Sequence, residues 1–204
     1  MEYKVLNNGL RMPMVGLGVY NISERETQRV VEDAISVGYR SIDTAAMYYN
    51  EQGMFKAIGI SNFYPNTFPK IVNGAKVMPV VNQCETHVFY QQRKMLEYLK
   101  PYDVAFEAWS PLAEGRHGIF KNPILCGIGE QYGKTAAQIA LKFLIQNDVI
   151  IIPKTTHKER MAENIDLFDF ELSEEELRAI RLLDTGRNVT GWPSDALKYT
   201  PERA

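Results

Sequence analysis

The 204-residue sequence predicts a parallel α/β fold. Three observations point to it. Short apolar segments recur along the chain without polar alternation, as strands buried on both faces do. Longer segments of helical period lie between them. Polar residues end several of the apolar segments, among them Asp43, Ser61, Asn62, Gln83, Ser110 and Lys154. A (β/α) barrel gathers its functional groups at such strand tips. The competing architecture, an open doubly wound sheet, calls for Gly-x-Gly-x-x-Gly after the first strand. Here that position reads Gly16-Leu17-Gly18-Val19-Tyr20-Asn21, and the third glycine is missing.

Each element has its own signal. Tyr3 to Leu6 and Leu10 to Met12 flank Asn7-Asn8-Gly9, and Asn8-Gly9 predicts a two-residue hairpin turn because both residues tolerate positive φ. The strand segments are Met14 to Val19, Arg40 to Asp43, Ala57 to Ile60, Pro79 to Gln83, Val104 to Ala108 and Val149 to Ile152. Ser23 precedes a helix over Glu24 to Ser36, with Val30, Val31, Ala34 and Ile35 on its apolar face and Gly38 as its stop. Lys134 to Gln146 forms a second helix. Ser173-Glu174-Glu175-Glu176 predicts a capping box at the start of a third, which runs through Leu183.

The totals exclude several classes. Lys+Arg 23 against Asp+Glu 25 leaves a net charge of -2, which offers no broad surface for nucleic acid or an anionic membrane. Cys84 and Cys126 lie 42 residues apart, so neither a disulfide framework nor a zinc site is expected, and a reducing compartment fits. The three histidines, His87, His117 and His157, lack metal spacing. The N-terminus carries no secretory pattern and no apolar run reaches the ~18 residues of a membrane span. A single cytoplasmic domain over residues 1–204 is the expectation.

Five segments in register resemble the aldo-keto reductase family. They are Ile42-Asp43-Thr44-Ala45-Ala46-Met47-Tyr48, Ala57-Ile58-Gly59-Ile60-Ser61-Asn62-Phe63, Val81-Asn82-Gln83-Cys84-Glu85-Thr86-His87, Glu107-Ala108-Trp109-Ser110-Pro111-Leu112, and Ile152-Pro153-Lys154-Thr155 followed by Arg160, Glu163 and Asn164. The resemblance implies a TIM-type (β/α) barrel with an N-terminal hairpin plugging its base. It implies hydride transfer from NADPH to an aldehyde or ketone. Its catalytic set is Asp, Tyr, Lys and His, and the first two fall on Asp43 and Tyr48.

The chemistry accounts for that set. A carbonyl accepting hydride develops negative charge on oxygen and needs a proton donor. Tyrosine donates poorly near neutral pH, with a reference pKa of about 10, and a nearby ammonium lowers it. By the same resemblance Ser61, Asn62 and Gln83 read the nicotinamide carboxamide, and Trp109 stacks on its ring. Lys154, Thr155 and Arg160 take the adenosine 2′-phosphate, which favours NADP over NAD, and Glu163 and Asn164 hold the adenine. Gly18, Val19, Tyr20, Ser110 and Leu112 complete the cofactor wall. Tyr20, Trp109 and the tail near Trp192 line the substrate pocket, sized for a small carbonyl compound. His87 belongs to a Glu-x-His feature that fixes a loop rather than to the catalytic set.

The sequence departs from the family at one place. Asp43 and Ser61 are only 18 residues apart. In the family that interval holds two further βα units, and the catalytic lysine and histidine end their strands. Gly53-Met54 reads as the seam, and six of eight strands are visible. Typical barrels have about 250 residues, which agrees with the shortfall. Three explanations are open: residues of a longer protein are omitted, the chain is a natural or engineered deletion, or two chains complete each other's sheet. The first fits best, because every other part reads as an intact enzyme. The protein is then a monomer if its barrel is complete and a strand-swapped dimer if the deletion is real. The alternative to a working reductase is an impaired NADPH-binding or regulatory relative.

Overall fold

The computed structural model describes residues 1–43 and 57–191. An antiparallel hairpin comes first, β1 (Tyr3–Val5) against β2 (Arg11–Pro13). Its turn differs from the expected two-residue form. Gly9 N–H donates to Leu6 O and Leu6 N–H to Leu10 O, and only Gly9 has positive φ, at 80°. This is a three-residue loop, a tight turn closed by a left-handed glycine. Asn7 Nδ2 donates to Pro79 O at 2.9 Å, and Lys4 pairs with Asp148. Pro79 and Asp148 lie at the N-terminal ends of their strands, so the hairpin covers the base of the sheet.

Six parallel strands follow: β3 (Leu17–Gly18), β4 (Ile42–Asp43), β5 (Gly59–Ser61), β6 (Val81–Glu85), β7 (Ala105–Trp109) and β8 (Val149–Ile151). β5 to β8 pair in sequence, and β3 pairs with β4. The parallel bridge Val15↔Ile151 joins the two groups, reinforced by Gly16 N–H on Ile151 O at 2.8 Å. The spatial order is therefore β4-β3-β8-β7-β6-β5. Among the described residues these six strands form one run of neighbours, in the order that a (β/α) barrel gives them. Among the described residues β4 and β5 are each paired on one side only.

The sheet is curled. β4 and β6 stand four strand spacings apart along it, about 19 Å if it were flat. Yet Gln83 Nε2 donates to Asp43 Oδ1 at 2.9 Å across the concave face. The sheet is thus an arc of a barrel, with its tips converging inward.

Helices cover the convex side. α1 (Glu24–Val37) buries Val30 and Ala34 and ends at Gly38, whose φ of 113° supports the left-handed cap. Ile35, expected on the apolar face, is exposed. The short α2 (Phe68–Val72) and α3 (Arg93–Leu99) anchor through Phe68, Met95 and Leu99. α4 (Pro123–Tyr132) starts at Asn122, whose side chain accepts from Ile124 N and Leu125 N. α5 (Ala136–Gln146) starts at a Thr135–Gln138 capping box and is buried from Ala136 to Ile145, between β8, α4 and α6 (Lys158–Ile165). Burying each of Ile139, Leu141 and Leu144 contributes about 2 kcal/mol. α7 (Glu174–Arg181) carries the expected Ser173–Glu176 capping box but stops short of Leu183. Among the described residues no helix is long and apolar enough to cross a membrane, and no group of metal-ligating side chains forms.

Candidate active site

Strand tips place the predicted residues in two groups. The first lies inside the arc. Asp43 ends β4, Ser61 ends β5 and Trp109 ends β7, while Gln83 sits within β6 opposite Ser61 and Glu107. Asn62 follows β5 with φ of 60°, a left-handed conformation that asparagine tolerates. Its backbone N–H donates to Gln83 O at 2.9 Å, and Ser61 Oγ donates to the same oxygen at 3.1 Å. Trp109 Nε1 donates to Asn62 Oδ1 at 3.0 Å. Gln83 Nε2 donates to both Asp43 Oδ1 and Glu107 Oε2, at 2.9 and 2.8 Å. One connected chain therefore runs from Asp43 through Gln83 and from Asn62 to Trp109.

Two carboxyl groups in this cluster are perturbed. Burial raises Asp43, partly offset by the Gln83 hydrogen bond. Glu107 is 4% exposed, and burial pushes it up to about 7; the Gln83 bond lowers it and the Asp43 charge adds to the rise. Among the described residues no cation contributes to either group. Glu107 was not singled out from sequence as a site residue. The available signal was an acid inside the continuous apolar run Val104 to Ala108.

The second group surrounds the end of β8. Gly18 N–H approaches Pro153 O at 3.4 Å, and a Cβ on Gly18 would lie 2.9 Å from Ile152 O and 3.6 Å from Lys154 Cβ. Gly18 thus lets β3 and the Lys154 segment run close together. Val19 N–H donates to Asp43 O at 3.2 Å, tying this edge to the first group. Thr155 is buried, and its Oγ1 accepts from His157 N–H at 3.2 Å as the chain enters α6. Lys154 and Arg160 make no ion pair among the described residues, whereas neighbouring Lys158 lies 3.8 Å from Asp33. Asn164 is 4% exposed, and its side chain has no hydrogen-bond partner among the described residues. Glu163 Oε1 accepts from Thr135 Oγ1 at 2.6 Å.

Other expected residues are less closely held. Tyr20 is 65% exposed. Ser110 turns the chain after β7 with φ of 51°, and Leu112 is half-buried behind it. Tyr48, the Gly53-Met54 seam and Trp192 lie outside the described residues.

His87 has the loop-fixing place expected of it. It is fully buried, its Nδ1 accepts from Phe89 N–H at 3.2 Å, and its Nε2 lies 3.3 Å from Glu85 Oε1. An accepting Nδ1 leaves the proton on Nε2, which donates to Glu85. Glu85 also accepts from Val189 N at 2.7 Å and from the Thr190 hydroxyl, so it latches the segment after α7 across the tip of β6. Burial works to raise Glu85, but the His87, Thr190 and Val189 donors outweigh it and hold the carboxyl below its usual range. Sequence reading took His87 for the loop and missed this latch on the tail.

The chain is similar to known proteins over nearly its whole length. Residues 49–185 match the profile of the aldo/keto reductase family. A 9,11-endoperoxide prostaglandin H2 reductase of Trypanosoma cruzi (strain CL Brener) is 30% identical over 266 residues, with 93% of this chain and 94% of the relative covered. Methylglyoxal reductase DkgA of Yersinia pestis is 30% identical over 258 residues, covering 90% of this chain and 93% of the relative. Among solved structures, a mutant of Gox0644 in complex with NADPH superimposes with a TM-score of 0.84 at 27% identity, over 91% of this chain and 95% of that one. On the matching profile, these relatives and the barrel arc together, the chain belongs to the aldo/keto reductase family.

Proposed function

We propose that this protein reduces small aldehydes or ketones with NADPH, with Tyr48 as proton donor and Asp43 in support. One observation carries the reading: Asp43, Asn62, Gln83 and Trp109 converge at the strand tips in a connected set of hydrogen bonds. The chemistry of that set fits a nicotinamide. Trp109 holds Asn62 Oδ1, which leaves Asn62 Nδ2 to donate. Asp43 and Glu107 hold Gln83 Nε2, which leaves Gln83 Oε1 to accept. A carboxamide needs one donor and one acceptor facing it. Lys154 and Arg160, unpaired among the described residues beside the start of α6, suit a phosphate. Bound NADPH supplies the hydride. The chain's own residues orient the carboxamide, anchor the phosphate and deliver a proton from the Tyr48 hydroxyl to the nascent alkoxide.

The Gox0644 mutant was solved in complex with NADPH, and the two relatives are a prostaglandin H2 endoperoxide reductase and a methylglyoxal reductase. These support the cofactor and the reaction class here. We further propose a single barrel domain, at home in the cytoplasm, that lacks a segment at Gly53-Met54 relative to its family. The Trypanosoma cruzi relative matches over 266 positions, of which at most 204 are residues of this chain, so at least 62 have no counterpart here. The family's lysine and histidine belong to that interval.

A second reading follows from the same gap. With no cation beside Asp43 among the described residues, this reading has the protein bind NADPH without turning over. NADPH consumption with a reactive aldehyde separates the two. Turnover above a Tyr48→Phe control supports the reductase. Cofactor binding without turnover supports the impaired relative, and no binding of NADPH rejects both.

A further inference from the structure

We propose that Glu107 is a positioning residue for the nicotinamide end of the site: with Asp43 it takes both N–H bonds of the Gln83 side-chain amide and so fixes which way that amide faces. The inference rests on the NADPH reading above and deepens it. A glutamine amide presents nearly the same shape either way round, so something must break the tie. At Gln83 two carboxyl groups do so. Asp43 Oδ1 lies 2.9 Å from Nε2 and Glu107 Oε2 lies 2.8 Å from it. A flipped amide would turn its oxygen onto two carboxyl oxygens and leave both without a donor.

With Nε2 held inward, Oε1 is the only atom of the Gln83 amide left for the cofactor. Asn62 is fixed the other way round, since Trp109 Nε1 occupies its oxygen at 3.0 Å. The two amides therefore form a complementary pair, an acceptor for the carboxamide NH2 and a donor for its oxygen. Glu107 is buried in β7, and among the described residues the only hydrogen-bond partner of its side chain is Gln83. A buried acid costs stability, which a residue with no task at the site has no reason to incur.

The test compares NADP+ with its 3-acetylpyridine analogue, which keeps the carbonyl oxygen but replaces NH2 by methyl. Dissociation constants are measured at pH 8 for the wild type, Glu107→Gln and Glu107→Leu. The wild type is expected to prefer NADP+ by about tenfold, the worth of one hydrogen bond. Glu107→Gln keeps an acceptor oxygen and retains that preference. Glu107→Leu cuts it to below about threefold by weakening NADP+ alone, whereas general damage to the fold weakens both ligands equally. Glu107→Met, flexible and of similar volume, replaces the leucine variant if that one does not fold. A wild type without the preference, or a leucine or methionine variant that keeps it, overturns the role of Glu107 and leaves the NADPH reading intact. Failure of the wild type to bind either ligand overturns both.

Discussion

Replacing Glu107 by glutamine makes stability less dependent on pH in a calculable way. The carboxyl is buried in β7 and pushed up to about 7 by burial. In the unfolded chain a glutamate titrates near about 4.3. A group whose folded value is raised contributes stability that is fully present below the unfolded value. That stability is lost as pH rises through the folded value. The wild type therefore loses stability between about pH 4.5 and pH 7 and levels off above it. Glutamine keeps the shape and an acceptor for Gln83 but has no proton to release. Relative to the wild type, Glu107→Gln should gain about 2–3 kcal/mol between pH 5 and pH 8, most of the shift at 1.36 kcal/mol per unit. Urea unfolding at the two pH values, with m unchanged, measures the difference. A variant-minus-wild-type difference that is the same at pH 5 and pH 8 refutes the reasoning and places the Glu107 carboxyl in contact with solvent or a cation.

Other outcomes follow from particular contacts. Glu85→Ala removes the acceptor shared by Val189, Thr190 and His87. It should cost about 3 kcal/mol, the price of several buried donors left unpaired, and the Val189 amide should exchange with solvent faster than in the wild type. Gly129→Ala places a Cβ 2.4 Å from Lys134 O, so the α4–α5 turn must shift. A loss of about 2 kcal/mol in urea unfolding is expected. Ser173→Ala breaks the capping box of α7 and should cost about 1 kcal/mol by the same assay. The intact mass of the protein from its native source should exceed 23.3 kDa if residues are omitted at Gly53-Met54, and a mass of 23.3 kDa shows a true deletion.

The barrel strands were legible because burial on both faces writes itself as apolar runs. All six expected segments contain a strand, shortened or shifted by a few residues. Ser173 and Gly38 were legible because caps depend on local chemistry alone. α4 was not anticipated, although Asn122-Pro123 is a start signal. Gly127 and Gly129 depress its helix propensity, and the close approach of Lys134 O that requires Gly129 is a tertiary fact. Ile35 broke the helical pattern because periodicity marks a face without showing how much of it a neighbour covers. The candidate site was legible residue by residue only through the family motifs. The pairing of Gln83 with both Asp43 and Glu107 was not, since it spans strands that meet only when the sheet curls. The Glu85 latch joins residues 104 positions apart and left no local trace.

We propose that these strand tips hold a nicotinamide dinucleotide carrying a 2′-phosphate. Binding of NADPH and NADH to the wild type and to Lys154→Ala, followed by nicotinamide fluorescence, tests it most directly. The wild type should bind NADPH more tightly than NADH. Lys154→Ala should weaken NADPH by about 10- to 100-fold, the loss of a charge-assisted bond, and leave NADH nearly unchanged. Equal loss of both dinucleotides on Lys154→Ala, or no binding of NADPH by the wild type, contradicts it.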